Sequence, residues 1–564
     1  MIARDAAITH DVLVIGAGLA GMRAAVAAHD AGADVALVSK VHPVRSHTCC
    51  AQGGINAALG DDDSWEAHMF DTVKGSDYLG DQDAVEVMCK AAPGDIRAME
   101  HMGCPFSRFE NGRIAQRPFG GAGFPRTAYA ADISGFVLLH TMYEQVVRRE
   151  IPVYQEWYVT RLVLDEGVAR GVVAIDMLTG RLHGLAGKAV VLATGPASRI
   201  YESSSNSVDC TGDGMGMAYR AGLPLMDMEF VQFHPTGLRN GVLITEGCRG
   251  EGGILLNADG DRFMAKYAPN RMELASRDVV SRAEATEIAE GRGIDGFIML
   301  DLRPIGPERI KTNLLQVREL SIDIAGVDPC EAPIPIRPTP HYFMGGVKCD
   351  VLGRSPSAEN LFCAGEVSCI SVHGANRLGG NSLLDAVVFG RRSGEAAAAA
   401  AAGGRVSAGV PQSAVADQEA EIAALAARDA GGERQADIRE ELQTLMFARV
   451  GIWRDRGALE AALDEVRALK DRYSRVSLGH DGRVFNTELP QVLETGNLLD
   501  LAECVALGAL NREESRGSHA RVDFPDRDDE QWMRHSVFTR GNDGPECSYA
   551  PVTVTRHPPE VRTY

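Results

Sequence analysis

The chain has 564 residues, too many for one hydrophobic core, and its length corresponds to about three or four domains. With 45% hydrophobic and 24% charged residues and a mean hydropathy of −0.11, its composition is that of an ordinary soluble globular enzyme. A formal net charge of −20 argues against nucleic acid or an anionic membrane surface as the main partner, because the mean field would repel either, but it leaves room for a locally positive pocket.

In chain order, the first residues lack the basic, apolar, small-residue pattern of a secretory signal, so none is expected. The apolar run DVLVI (11–15) then leads into GAGLAG (16–21), a small-residue helical stretch MRAAVAAHDAG, and a second apolar run DVALVS (34–39). Strand, glycine turn, helix and strand within about 30 residues make a βαβ dinucleotide unit. Gly16 permits the tight turn, Gly18 lets backbone approach a pyrophosphate, and Gly21 lets helix and strand pack closely, with the helix N-terminus facing the phosphates. The acidic residue that takes ribose hydroxyls about 20 positions further on is missing. Ser39 and Lys40 stand there instead, which counts against a standard NAD site and fits ribose and pyrophosphate held by hydroxyl and ammonium groups.

Next comes SHTCCAQGGINAAL (46–59), where His47 precedes two vicinal cysteines. Metal ligation, an ordinary loop role and attachment of something larger are all open at this point. The metal reading suffers from having no further ligand nearby, and vicinal cysteines rarely share a metal or a disulfide in good geometry. The twelve cysteines form no CxxC, which implies reduced thiols in a reducing compartment and no self-contained zinc or iron–sulfur site.

Two further strand-like runs, KAVVLATG (188–195) and LFCAGE (361–366), each reach a glycine. Parallel strands that far apart imply one sheet assembled from distant segments, with an insertion between them, and suit a long cofactor such as FAD. The insertion is expected over 236–344, opening after HPTG and closing at PTPHYFMGG. EAAAAAAAGG (395–404) is too short and weakly apolar to span a bilayer, and the composition shift at 394–415 reads as a boundary. Beyond it, Ile438, Leu442, Leu445 and Met446, then Leu459, Leu463, Val466 and Leu469, are spaced for single helix faces. The expected fold is α/β: a Rossmann-like FAD-binding domain (1–235 and 345–415), an inserted α+β capping domain (236–344), a helical bundle domain (416–535) and an irregular C-terminal tail (536–564).

SKVHPVRSHTCCAQGGINAAL, QFHPTG, TEGCRGEGG, HGANRLGGNSLLD and NREESRGSHARVDFPDRDDE together resemble the flavoprotein subunit of succinate dehydrogenase and fumarate reductase, the complex II family. The likeness runs to the VRTY ending. It implies covalent FAD through His47, with further FAD contacts from Gly16, Ala17, Gly18, Gly21, Ser39, Lys40, Ser46, Thr48, Gln52, Gly53, Gly54, Asp213, Glu366, Ser382 and Leu383. Pro196 departs from a second glycine common in the family, and Cys49 and Cys50 fall on packing positions. The resemblance also implies that His234, Thr245, His341, Arg377, Phe119 and the Gly53 backbone clamp a four-carbon dicarboxylate. Arg377 suits bidentate carboxylate binding. Arg277 matches the family's proton acceptor, relayed through Glu246 and Arg249, unless it acts only as a transition-state clamp.

Partners implied in the same way are an iron–sulfur subunit and membrane anchor subunits with a quinone site and, in some members, haem. They would place the chain on the cytoplasmic side of a bacterial inner membrane. The segment 512–530 reads as a solvated mixed-charge helix end and loop, or as a structural or interface element. Succinate oxidation is the expected direction, with quinol:fumarate reduction the alternative. L-Aspartate oxidase, with non-covalent FAD, is disfavoured by His47, and a non-catalytic flavin-binding protein by the complete catalytic set.

Overall fold

The apolar runs at 12–15, 35–38 and 189–192 carry no polar alternation, as expected for strands covered on both faces, and all three are buried. They sit in a computed structural model that describes residues 8–403, 409–428, 432–480 and 482–563. Residues 404–408, within the composition shift, the first seven residues and Tyr564 of VRTY lie outside the described residues.

Among the described residues, seven strands form the main sheet. Val153–Gln155, Val35–Ser39, Ile8–Ile15 and Arg181–Leu192 are neighbours in parallel, and the antiparallel pair Val168–Asp176 and Trp157–Asp165 extends it. Leu361–Cys363 returns from far downstream and pairs in parallel with Arg181–Leu192, as expected for a sheet built from distant segments. The glycine-turn helix Leu19–Asp30 packs against Asn381–Gly403. Small residues make this possible, since a Cβ at Gly394 would lie 2.2 Å from the Ala24 carbonyl oxygen. Ala397, Ala398 and Ala401 are buried in the same core. The alanine run therefore packs the flavin-side core, and the shift read from residue 394 begins inside this helix.

The inserted segment has its own sheet, in the order Val231–Gly237, Ile334–Phe343, Ile298–Asp301, Ile254–Leu256, and its own core around Leu238, Ile244, Leu255, Val280, Leu300 and Ile336. Its first strand starts upstream of residue 236. Downstream, Gln435–Arg449, Arg456–Tyr473 and Glu488–Asn511 form the helical region, with every apolar position picked from the periodicity buried.

The C-terminal end departs from expectation. The tail is not wholly irregular: Arg534–Arg540 and Pro545–Pro551 form an antiparallel hairpin that joins a five-stranded sheet through Leu225–Met226. Its burial pattern alternates weakly, so the strand signal was faint. Of the two readings of segment 512–530, a solvated helix end and loop or a structural element, residues 512–521 take the structural one. Arg512, Glu514, Arg516, His519 and Arg521 are each at most 1% exposed, paired within the protein rather than with water.

Candidate active site

A cavity follows the glycine turn Gly16–Ala20, passes Ser39, Lys40, Ser46, His47, Thr48 and Asp213, and reaches Glu366, Ser382 and Leu383. Its glycines are where side chains would intrude. Gly16 has φ +107°, and a Cβ there would lie 2.2 Å from the Ala193 carbonyl oxygen; one at Gly18 would lie 2.9 Å from Ser46 Oγ. Gly18 caps the helix without a side chain, leaving the first-turn N–H groups directed at the cavity mouth, where Leu19 N–H reaches Thr48 Oγ1 at 3.3 Å. Gly21 is not on the wall. A Cβ on it would meet the Gly16 carbonyl oxygen at 1.9 Å, so it serves the close packing of the turn. These features fit a dinucleotide whose pyrophosphate lies on the turn.

Lys40 lines the cavity, but its ammonium is already held by Asp213 at 2.7 Å, Glu494 at 2.8 Å and Thr211 at 2.8 Å. It orders Asp213 and is not a free cation for phosphate. Gln52, Gly53 and Gly54 lie off the cavity wall. Gln52 donates to the Leu243 carbonyl, Gly53 accepts from Arg117, and Gly54, at φ +128°, abuts the Ala128 carbonyl. Pro196 is on the wall, and its carbonyl accepts the Gly212 N–H.

His47 opens a 3₁₀ turn, His47–Cys50. The Ser207 N–H donates to its Nδ1 at 3.2 Å and Asn206 faces its Nε2, so the ring is fixed from both ends. Burial, with Arg199 nearby, lowers its pKa to about 4, which makes it neutral near pH 7. The same turn corrects the reading of the cysteines. Successive residues of a 3₁₀ helix point about 120° apart, so Cys49 packs on the core while Cys50 is exposed. Their sulfurs are 3.8 Å apart, unbonded.

Beyond His341, which also lines the cavity, the dicarboxylate candidates converge at the junction of flavin domain and cap. His341 Nδ1 is 2.7 Å from Ser205 Oγ, and its ring lies 4.9 Å from that of His234. The Thr236 N–H donates to His234 Nδ1, which leaves the proton on Nε2 as an available donor. Burial first, then the positive charge of Arg277, holds both imidazoles well below their ordinary pKa.

Gln232 is the residue sequence reasoning passed over. Its Oε1 accepts from Arg277 Nη1 and from Arg377 Nη2, each at 3.1 Å, holding two guanidiniums side by side. Burial and then Arg277 bring Arg377 down to about 9. Arg277 Nε lies 2.7 Å from Glu246 Oε2, the Gly120 N–H donates to Glu246 Oε1 at 2.8 Å, and Arg249 Nη2 is 3.5 Å away. Burial would raise the Glu246 pKa, but the two arginines outweigh it and keep the carboxylate ionised.

Glycines again set the approach. A Cβ on Gly53 would lie 2.7 Å from the Phe119 ring and 3.6 Å from Thr245 Oγ1, and one on Gly379 would lie 2.9 Å from Glu246 Oε2. The predicted set His234, Thr245, Glu246, Arg249, Arg277, His341, Arg377, Phe119 and Gly53 is therefore brought together. Gln232 could have been found, because it lies two residues from His234 and hence on the same strand face. Ser205, Asn206 and Ser207, in a polar serine-rich loop, carried no signal.

A dinucleotide-type sheet with an inserted cap, and a cationic cluster at their junction, defines a flavin-dependent oxidoreductase. An FAD binding domain family matches residues 11–383, and a fumarate reductase flavoprotein C-terminal family matches 439–564. The fumarate reductase flavoprotein subunit of Mycobacterium tuberculosis is 45% identical over 98% of this chain and 99% of its own length. The succinate dehydrogenase flavoprotein subunit of Rickettsia bellii is 44% identical over 98% of this chain and 96% of its own. A mutant E. coli quinol fumarate reductase structure superposes with a TM-score of 0.94 at 41% identity, covering 98% of each chain. The chain belongs to the succinate dehydrogenase/fumarate reductase flavoprotein subunit family of FAD-dependent oxidoreductases.

Proposed function

We propose that this subunit oxidises succinate to fumarate and passes the electrons through an iron–sulfur subunit to quinone. The observation that carries the reading is charge balance. In the buried cluster the three guanidiniums of Arg249, Arg277 and Arg377 face the single carboxylate of Glu246, with both imidazoles neutral. Two uncompensated positive charges match a dicarboxylate dianion.

FAD would be held along Gly16, Ala17, Gly18, Ser39, Ser46, Thr48, Asp213, Glu366, Ser382 and Leu383, with His47 as its covalent attachment point. When bound it supplies the hydride acceptor. The Arg377 fork and the Nε2 donor of His234 take the substrate carboxylates, with His341 and Thr245 beside them and Phe119 over Gly53 as a wall. Arg277 receives the proton from the neighbouring carbon. A guanidinium ordinarily stays protonated, so it must release one as it accepts, and Glu246 Oε2 at 2.7 Å takes it. Arg249 stabilises the shared charge and continues the route. The cap contributes Glu246, Arg249 and Arg277, so the site is complete only when cap and flavin domain meet, which also excludes water.

The domain scheme proposed is a discontinuous flavin domain (1–235 and 345–415), a cap (236–344), a helical domain (416–535) and a C-terminal segment (536–564). No helix among the described residues is long and apolar enough to cross a membrane. Attachment to the cytoplasmic face of a bacterial inner membrane would come through anchor subunits carrying the quinone site.

The test is succinate-dependent dye reduction by the purified complex, competed by malonate, with the yellow chromophore remaining on the acid-precipitated chain and released by His47→Ala. Failure of malonate to compete would remove the diacid reading. The reverse activity, quinol:fumarate reduction, is a second reading, because relatives named for each direction are equally similar, at 45% and 44% identity. Identifying the quinone bound to the complex separates the two.

A further inference from the structure

Asn56 ends the short strand Ile55–Asn56, just beyond Gly53, and lies on neither the flavin cavity wall nor the dicarboxylate cluster. It is 0% exposed. Its Nδ2 donates to the Gly379 carbonyl at 2.6 Å and to Asn381 Oδ1 at 2.8 Å, while its Oδ1 accepts from the Thr127 hydroxyl at 2.7 Å. Chemistry fixes the direction of the amide, because the Gly379 carbonyl can only accept. Thr127 stands directly opposite Asn56 on the neighbouring strand Thr127–Ala128.

These contacts complete the support of one loop, Arg377–Gly380. It carries the proposed carboxylate clamp at one end and, further along, a glycine set against the proton route. Its four successive carbonyls are all engaged. Gln232 Nε2 donates to that of Arg377 at 2.7 Å, and that of Leu378 accepts from Arg377 Nη1 at 3.2 Å. Asn56 holds the other two, with Nδ2 on Gly379 and its backbone N–H, at 3.1 Å, on Gly380. The loop is shaped to this partner: Gly380 has φ +83°, and a Cβ there would lie 2.3 Å from Asn56 Oδ1. On the opposite side, a Cβ on Gly379 would lie 2.9 Å from Glu246 Oε2 and 3.3 Å from Arg277 Nη2. Packing this close lets any inward movement of the loop press on that ion pair.

We propose that Asn56 is a positioning residue for the reaction, fixing the Arg377–Gly380 loop so that the carboxylate clamp and the Glu246–Arg277 pair keep one geometry. The inference rests on the roles given to Arg377 and Arg277 in the preceding section. Asn56 acts through the loop and not on the substrate. Without Nδ2 the buried Gly379 carbonyl is left unmatched, a cost the loop relieves by rearranging. Arg377 moves with it, since its guanidinium is tied to the Leu378 carbonyl of the same loop.

The test uses the holoenzyme complex. Asn56→Asp keeps the shape and, even when protonated, serves only one of the two acceptors that Nδ2 now serves. Expected are a malonate Kd about tenfold higher, the scale of a lost buried hydrogen bond, and a kcat/KM for succinate about 10²-fold lower, the scale of a misplaced reacting group. Both are taken per mole of bound flavin, so a loss of folded enzyme, which is all a merely structural role would cause, moves neither. Thr127→Val removes only the hydroxyl that steadies the amide and should raise the malonate Kd severalfold; Thr127→Ser should restore it. Wild-type malonate Kd and kcat/KM in flavin-bearing Asn56→Asp would overturn the proposal. If Asn56→Asp does not fold, the threonine pair decides, and a wild-type malonate Kd in Thr127→Val overturns it. Arg377→Ala tests the underlying clamp separately. A defect there beside a normal Asn56→Asp removes only the loop support, whereas wild-type malonate binding by Arg377→Ala removes the clamp itself.

Discussion

Arg512 and Arg249 are both buried beside glutamates, at 0% and 2% exposed, yet their surroundings differ in one respect. All five N–H groups of Arg512 have acceptors: Glu229, Glu514, the carbonyls of Trp532 and Arg534, and Ser536. Arg516 beside it is held by both oxygens of Glu514, by Asp529 and by the Asp77 carbonyl. In the cap cluster Arg249 leaves Nε and Nη2 unmatched, Arg377 leaves Nε unmatched, and Gln232 shares one oxygen between two cations. The same residue types thus serve two ends. The matched donors of Arg512 and Arg516 knit the fold, whereas the donors left over at the cap are available to an anion.

The comparison is most sharply tested at Arg277. Arg277→Ala should lower succinate-dependent dye reduction by about 10³-fold or more, the scale of a lost general base, with flavin retained. Arg512→Ala should do the reverse. Leaving Glu229 buried without its ion-pair partner costs about 3–5 kcal/mol, read as a lower denaturant midpoint, while the surviving folded enzyme keeps its kcat. An inactive but stable Arg512→Ala would break the distinction. Gln232→Leu removes the acceptor shared by Arg277 and Arg377 and should weaken malonate binding by about tenfold, the scale of a lost hydrogen bond to a charged group, measured by flavin absorbance titration.

The smallest effect is a pH dependence on the structural side. Burial works against protonation of His535, but Asp227 at 2.7 Å and Asp81 at 3.4 Å overcome it and raise its pKa from 6.5 to about 10. A folded-state pKa above the unfolded one gives stability that is complete below pH 6.5 and lost as pH rises towards 10. Thermal midpoints should fall across that window, and His535→Gln should flatten the fall.

Much of this was legible beforehand because it rests on short-range pattern. The glycine turn, the buried parallel runs and the helix faces at Ile438–Met446 and Leu459–Leu469 are written in spacing. Residues lying in long motifs, such as His234, Glu246 and Arg377, were identifiable together only through resemblance. What could not be read depends on pairing across distance. Whether charged segment 512–530 meets water or Glu229 and Asp77 is invisible in local composition. The pairing of Lys40 with Asp213 and Glu494 likewise spans separate parts of the chain, as does that of Asn56 with Gly379.

The pairing of Arg181–Leu192 with both Ile8–Ile15 and Leu361–Cys363, and the packing of Leu19–Asp30 on Asn381–Gly403, set an order of events during synthesis. At ribosomal speed, roughly half a minute separates the emergence of those two helices, and meanwhile the nascent chain exposes an unpaired sheet edge and a bare alanine face. The cofactor groove closes only after translation has passed the second helix. The complete groove is therefore offered to flavin only by a nearly full-length chain.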